Sequence, residues 1–166
     1  AIRADRSAEA ATRLSQASRA SVYGLLVPIS HAWALYGAGR VDDGLKELQT
    51  LKDSTPFAPF AIYHIALMND AADRTQAAQS AYAETLRTGG PSSPRVIEAY
   101  GSLLERTGRI GDAERLYRDF GARQGDNPAI EQALDRVLTG KTADRLISTP
   151  AAGAAEGLYS AALALG

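Results

Sequence analysis

Apolar residues recur every three or four positions along most of the chain, which is the spacing of one face of an α-helix. Two stretches carry nearly the same pattern, GAGRVDDGLKELQTL from Gly37 and RTGRIGDAERLYRDF from Arg106. In each stretch a Gly-Arg pair is followed by an aliphatic residue, an acidic residue and an apolar stripe of helical spacing. This pattern predicts a helical fold built from an internal repeat.

The repeat has a period of 34 and then 35 residues, because aligning Gly39 with Gly108 places a middle copy at Asp73. Small residues let two antiparallel helices approach closely, a large neighbour fills the remaining space, and glycine suits the turn between them. Four columns keep this register: small (Ala32, Ala66, Gly101), turn (Gly39, Asp73, Gly108), small (Gly44, Ala78, Ala113) and large (Leu48, Tyr82, Tyr117).

Prolines separate the copies, since proline fits the first turn of a helix and disfavours helix before it. Ser93, Asn127 and Thr149 each stand directly before a proline, which is the order of an N-cap and a first helical residue. The prolines of the repeat region are Pro56, Pro59, Pro91, Pro94 and Pro128.

The pattern resembles the tetratricopeptide repeat (TPR) over about residues 25–125. That family has small residues at motif positions eight and twenty, glycine near fifteen, an aromatic residue at twenty-four and proline at thirty-two. Residues 101–117 match it at four positions, whereas the middle copy departs with Asp73 in place of glycine. The resemblance implies an all-α fold, a right-handed solenoid of helical hairpins with about three repeats plus flanking helices.

The repeat register divides the chain into five segments. Residues 128–166 form degenerate C-terminal helices with a loop at 139–149, and the apolar final helix is expected to pack back, to pair with another chain or to meet further sequence. A chain that starts on a second helix and stops on a first helix is expected to be part of a longer solenoid. The other segments are 1–24 (second helix of a preceding repeat), 25–58, 59–93 and 94–127 (three TPR-like repeats).

Composition narrows the partner class. The net charge of −1 over 166 residues gives no electrostatic basis for binding nucleic acid. Apolar runs are far shorter than the roughly 20 residues that span a bilayer. Cysteine is absent, which excludes disulfides and thiolate sites. Arginine outnumbers lysine and alanine is abundant, which indicates a bacterial source and leaves cytoplasm and periplasm open.

Three features of the sequence are candidate chemical sites. LTGKTADR contains a Gly-Lys-Thr sequence like that of a phosphate-binding loop. Asp135 stands five residues before its Gly140, where such a loop needs glycine, and a helix rather than a strand precedes it. His31 and His64 lack the convergent partners that a metal site or a hydrolase requires. GAAEG in the final helix has small-xxx-small spacing, which indicates close packing with another helix. We therefore predict no enzymatic activity, no cofactor and no metal.

In TPR proteins the first helix of each repeat lines a concave surface, so the resemblance implies a partner-binding groove. The predicted function is a non-enzymatic scaffold that binds a protein or peptide segment through aromatic and arginine anchors. Two alternatives stay open: the aromatic residues pack against flanking helices, or the apolar final helix makes the chain an assembly module that oligomerises or spaces domains. The predicted partner-binding residues are Trp33, Tyr36, Phe60, Tyr63, Leu67, Arg95, Glu98 and Arg106.

Overall fold

The structure is a computed structural model that describes residues 4–17, 23–53, 57–88 and 93–165. Within these ranges every regular element is an α-helix, so the predicted all-α class is confirmed for the described residues. In chain order the helices are α1 (Ala4–Ser15), α2 (Tyr23–Gly37), α3 (Val41–Asp53), α4 (Ala58–Ala71), α5 (Thr75–Arg87), α6 (Pro94–Arg106), α7 (Ile110–Gln124), α8 (Pro128–Leu138) and α9 (Pro150–Leu165).

The chain divides into two compact units. Unit 1 is Ala1–Gly90 with Ile147–Gly166, and unit 2 is Pro91–Leu146. In unit 1, α2 packs on α3 and α4 packs on α5, while α1 and α9 both pack on α2. In unit 2, α6 packs on α7, and α8 contacts both. The first two helical hairpins of the repeat are therefore α2–α3 and α4–α5, and the third is α6–α7.

The turn inside each hairpin has the same backbone form. Gly39, Asp73 and Gly108 have φ of 80°, 58° and 76°, and the following N–H donates to the carbonyl five residues back, at 2.8 to 2.9 Å. This is the Schellman arrangement that satisfies the last carbonyls of a helix. Gly140, with φ of 71°, ends α8 in the same way, since Lys141 N–H donates to Arg136 O at 3.0 Å. The alignment of the internal repeats did not predict this fourth turn.

The two small columns and the large column form the buried contacts between paired helices. Leu48, Tyr82 and Tyr117 are at most 1% exposed. A Cβ added at Gly101 would overlap the Tyr117 ring, and one added at Gly44 would lie 2.7 Å from the Ala32 carbonyl oxygen. The backbones therefore approach where the sequence has small residues, as the column interpretation requires.

The structure confirms the three predicted N-caps, each of which stands directly before a proline. Ser93 Oγ accepts from Val96 N–H at 3.4 Å, Asn127 Oδ1 accepts from Ala129 N–H at 3.1 Å, and Thr149 Oγ1 accepts from Ala152 N–H at 3.1 Å. These bonds satisfy donors that the first helical turn leaves without a partner. Pro56 and Pro91, which were expected to separate repeats, lie outside the described residues.

Candidate functional site

The candidate site in unit 1 is the surface of α2 and α4 that α9 covers. Helix α9 runs antiparallel to α2. A Cβ at Gly37 would lie 3.0 Å from Pro150, one at Gly153 would overlap the Trp33 indole, and one at Gly157 would lie 2.6 Å from Ile29 Cγ2. We call the surface formed by Ile29, Trp33, Tyr63 and His64 the α2–α4 face. The prediction that GAAEG mediates close packing is confirmed. Of the three alternatives given for the final helix, packing back on the chain is the one that the structure shows.

Hydrogen bonds run from this face to α9. Tyr63 OH donates to Glu156 Oε1 at 3.1 Å. Trp33 Nε1–H donates to His64 Nδ1 at 3.0 Å, and His64 Nε2 lies 3.5 Å from Ser160 Oγ. An indole nitrogen only donates, so the neutral imidazole accepts at Nδ1 and carries its proton on Nε2, toward Ser160. Each buried polar group of the contact thus has a polar neighbour.

Burial determines the charge state of His64. The ring is fully buried, and loss of solvation lowers the pKa of His64 to about 3. The imidazole is therefore neutral at physiological pH, and it donates to Ser160 rather than taking its proton. This arrangement orients α9 and does not activate the Ser160 hydroxyl as a nucleophile.

In the described part of α9, the surface turned toward α2 and α4 is small and polar, whereas Leu158 and Tyr159 face outward. Gly153, Gly157 and Ser160 are buried and Glu156 is 5% exposed. Leu158 and Tyr159 are 59% and 44% exposed. A helix that docked only by burying apolar area would be oriented the other way round.

The predicted aromatic anchors of unit 1 differ in exposure. Trp33, Tyr63 and Leu67 are at most 2% exposed, so in this structure they are covered and do not line an open groove. Tyr36 and Phe60 are half-buried, and Tyr36 OH donates to Ala71 O at 2.8 Å. Packing against a flanking helix, the alternative considered from sequence, describes the environment of Trp33 and Tyr63. The binding of a partner by these residues stays a prediction.

The predicted charged anchors belong to unit 2. Arg95 and Glu98 are half-buried neighbours on α6, with Nη1 and Oε2 3.6 Å apart. Arg106 is half-buried as well, and its Nε donates to Ser102 Oγ at 3.4 Å. All three side chains remain partly accessible, as a role in recognition requires.

Glu105 is the main polar residue of unit 2 that sequence reasoning placed wrongly. The TPR resemblance implies, by its register, that Glu105 faces the concave surface. It is instead 2% exposed and accepts from Arg136 Nε and Nη2 at 3.0 and 2.9 Å, Tyr117 OH at 2.7 Å and Ala143 N–H at 2.7 Å. Burial raises the pKa of Glu105, but the hydrogen bonds and the Arg136 charge outweigh it, and the net pKa is lowered. The carboxylate ties three helices and the segment after α8 together, and no sequence signal identifies partners this far apart in the chain.

Other chemistry has little support in the described ranges. No group of three or more His, Asp and Glu side chains there could hold a metal ion. His31 Nδ1 lies 3.4 Å from Glu47 Oε1 beside a polar cavity of about 420 Å³, without a third ligand. Among the helices that the structure describes, none combines the length and the apolar character needed to cross a bilayer.

Comparison with known proteins adds no family assignment. The chain matches no protein-family model, and the curated proteins and the solved structures show no significant similarity to it.

Proposed function

We propose that the protein is a non-enzymatic protein–protein interaction scaffold of the tetratricopeptide-repeat kind, whose α2–α4 face binds a helical segment of a partner. The observation that carries this proposal is the seating of α9 on that face, with Gly153 against Trp33 and Gly157 against Ile29. A surface that accommodates one helix along two neighbouring first helices is complementary to a helical ligand in shape and in polar contacts. The 34- and 35-residue period supports the repeat assignment.

The full chain with Gly157→Leu tests the proposal. Leucine at 157 has no room beside Ile29, so α9 is expected to leave the face while the rest of the chain stays folded. A labelled peptide with the sequence of residues 147–166 should then bind saturably and shift the emission of Trp33, the only tryptophan. Gly121→Ala, which meets nothing within 4 Å, is the control and should leave the face closed. Absence of peptide binding by a folded Gly157→Leu chain would reject the proposal.

A second candidate function is assembly through α9. Ala155, Leu158, Tyr159 and Ala162 are exposed at helical spacing, so the outer surface of α9 is apolar. A second copy of the chain could pair with it as one helix packs on another. Sedimentation of the wild type and of Leu158→Asp over a range of concentrations separates the cases. A concentration-dependent mass that Leu158→Asp abolishes favours assembly, whereas a constant monomer mass excludes it.

A further inference from the structure

Unlike an ordinary packed helix, the described part of α9 docks through small and polar residues. Gly153 and Gly157 remove all side-chain atoms where α2 approaches, while Glu156 and Ser160 meet Tyr63 and His64. Burying a carboxyl or a hydroxyl group is unfavourable unless a hydrogen bond compensates for it. The contact therefore depends on matching particular groups as well as on covering the apolar surface of Ile29 and Trp33.

The same matching excludes helices that lack these groups. A ligand with larger residues at the positions of Gly153 or Gly157 would overlap Trp33 or Ile29. A ligand without an acceptor at the position of Glu156 would leave the hydroxyl of Tyr63, a 2% exposed side chain, without that partner. Sites built around buried hydrogen bonds reject analogues that lack the matching group much more strongly than apolar pockets do.

We propose that the α2–α4 face selects partner helices of one pattern: a small residue, an acidic residue three positions later, a small residue directly after it and a hydroxyl residue three positions further on. Residues Gly153, Glu156, Gly157 and Ser160 are the copy of this pattern within the chain, and α9 competes with the partner for the face. The inference rests on the proposed function and names the chemistry of the partner. Tyr63 reads the acidic residue, and Trp33 and Ile29 read the small ones.

The chain's own connectivity makes this competition adjustable. Residues 141–149, which precede α9, contain no helix, so α9 is joined to the preceding chain by a non-helical segment. A tethered ligand acts at an effective concentration set by its linker, and a partner must exceed that value to displace it. The partner should therefore bind more weakly to the wild-type chain than to a chain whose α9 is undocked.

Peptide variants test the pattern with the Gly157→Leu chain as receptor. The probes are the 147–166 peptide and the same peptide with Glu156→Gln, Gly153→Leu or Leu158→Ala. Gly153→Leu should weaken binding roughly tenfold or more, since the leucine overlaps Trp33. Glu156→Gln should weaken it about fivefold, since a neutral amide oxygen replaces the charged acceptor of the Tyr63 hydroxyl. Leu158→Ala is the matched control and should bind within about twofold of the parent, because Leu158 is 59% exposed in the docked helix.

A change in the receptor assigns the acidic residue to its reader. Adding Tyr63→Phe to the Gly157→Leu chain removes the donor hydroxyl, so the parent and Glu156→Gln peptides should then bind equally well. Persisting preference for the parent peptide would contradict the role of Tyr63.

The outcomes separate this inference from the proposed function. Equal binding of the parent, Glu156→Gln and Gly153→Leu peptides would overturn the selection pattern while leaving helix binding in place. Binding of none of them by a folded chain would reject helix binding itself. If Gly157→Leu does not fold, hydrogen exchange of α9 in the wild-type chain serves instead. Excess parent peptide should accelerate that exchange, and equal acceleration by Glu156→Gln would overturn the pattern.

Discussion

The indole ring of Trp33 occupies the space where a side chain at residue 153 would begin. The two residues are far apart in the sequence, yet the contact allows no atom beyond the Cα of Gly153. Trp33 is fully buried as a result, and its fluorescence reports directly on whether α9 is docked.

Gly153→Ala should therefore loosen α9. Overpacking of this kind costs about 1–3 kcal/mol of the free energy of unfolding, because either the indole or the helix has to shift. The measurement is urea unfolding followed by Trp33 emission, which should also move to longer wavelength in the folded variant. Gly111→Ala is the control, since a Cβ there meets nothing within 4 Å, and it should be neutral or stabilising by up to about 1 kcal/mol. An unchanged emission and midpoint for Gly153→Ala would show that the contact is not as tight as described.

Glu105→Gln should destabilise unit 2 by about 3 kcal/mol, because the amide leaves the half-buried Arg136 guanidinium without its anionic partner. Glu98→Gln on the same helix is the comparison, and its partly exposed pair with Arg95 should matter by less than about 1 kcal/mol. Circular dichroism during urea unfolding measures both. Equal stability of the two variants would argue against a structural role for the Glu105 cluster.

The lowered pKa of Glu105 also predicts that unit 2 becomes less stable in acid. Since the folded pKa lies below the ordinary 4.5, the stabilisation is present above that value and is lost as pH falls through the folded pKa. Glu105→Gln should flatten this dependence, whereas Glu98→Gln should leave it in place. Helicity measured against pH between 5 and 2 is the test, and parallel curves for wild type and Glu105→Gln would refute it.

The middle turn offers a stabilising substitution. Asp73 has φ of 58°, where its two equivalents are glycines. Asp73→Gly should raise the free energy of unfolding by up to about 1 kcal/mol, and Gly108→Ala should lower it by about 1–2 kcal/mol, since only glycine adopts this conformation without strain. Thermal unfolding of the two variants against wild type measures the effects. A lower midpoint for Asp73→Gly would mean that the aspartate side chain stabilises the turn by more than its backbone strain costs.

His64 predicts a second pH dependence, in unit 1. The folded pKa of about 3 lies below the ordinary 6.5, so between these values the unfolded chain binds a proton that the folded chain does not. The contribution of neutral His64 to the free energy of unfolding is fully present above pH 6.5. It should decrease by up to about 1.4 kcal/mol for each pH unit below that value. The stability difference between wild type and His64→Gln, followed by Trp33 emission, should shrink as the pH drops from 7 to 4. A stability difference that stays constant between pH 7 and 4 would contradict this role of His64.

Patterns within one repeat were readable from sequence because their physical causes are local. The buried positions of Ala32, Tyr82 and Tyr117 follow from helical spacing and a 34- to 35-residue period. The caps at Ser93 and Asn127 follow from their place before proline. The failure at Glu105 has the opposite cause, since its partners Arg136 and Ala143 lie 31 and 38 residues away, and sequence spacing carries no information on such pairs.

Sequence alone thus determined that the described chain is helical, where its hairpins turn, and that GAAEG in the final helix packs closely against something. It did not determine against what. Tertiary structure decided that α9 lies on α2 and α4, through contacts that join Tyr63 to Glu156 over 93 residues and His64 to Ser160 over 96. Leu158 and Tyr159, the large apolar residues in the described part of α9, are exposed. The actual interface instead pairs small with large and donor with acceptor, and that complementarity exists only once both helices are in place.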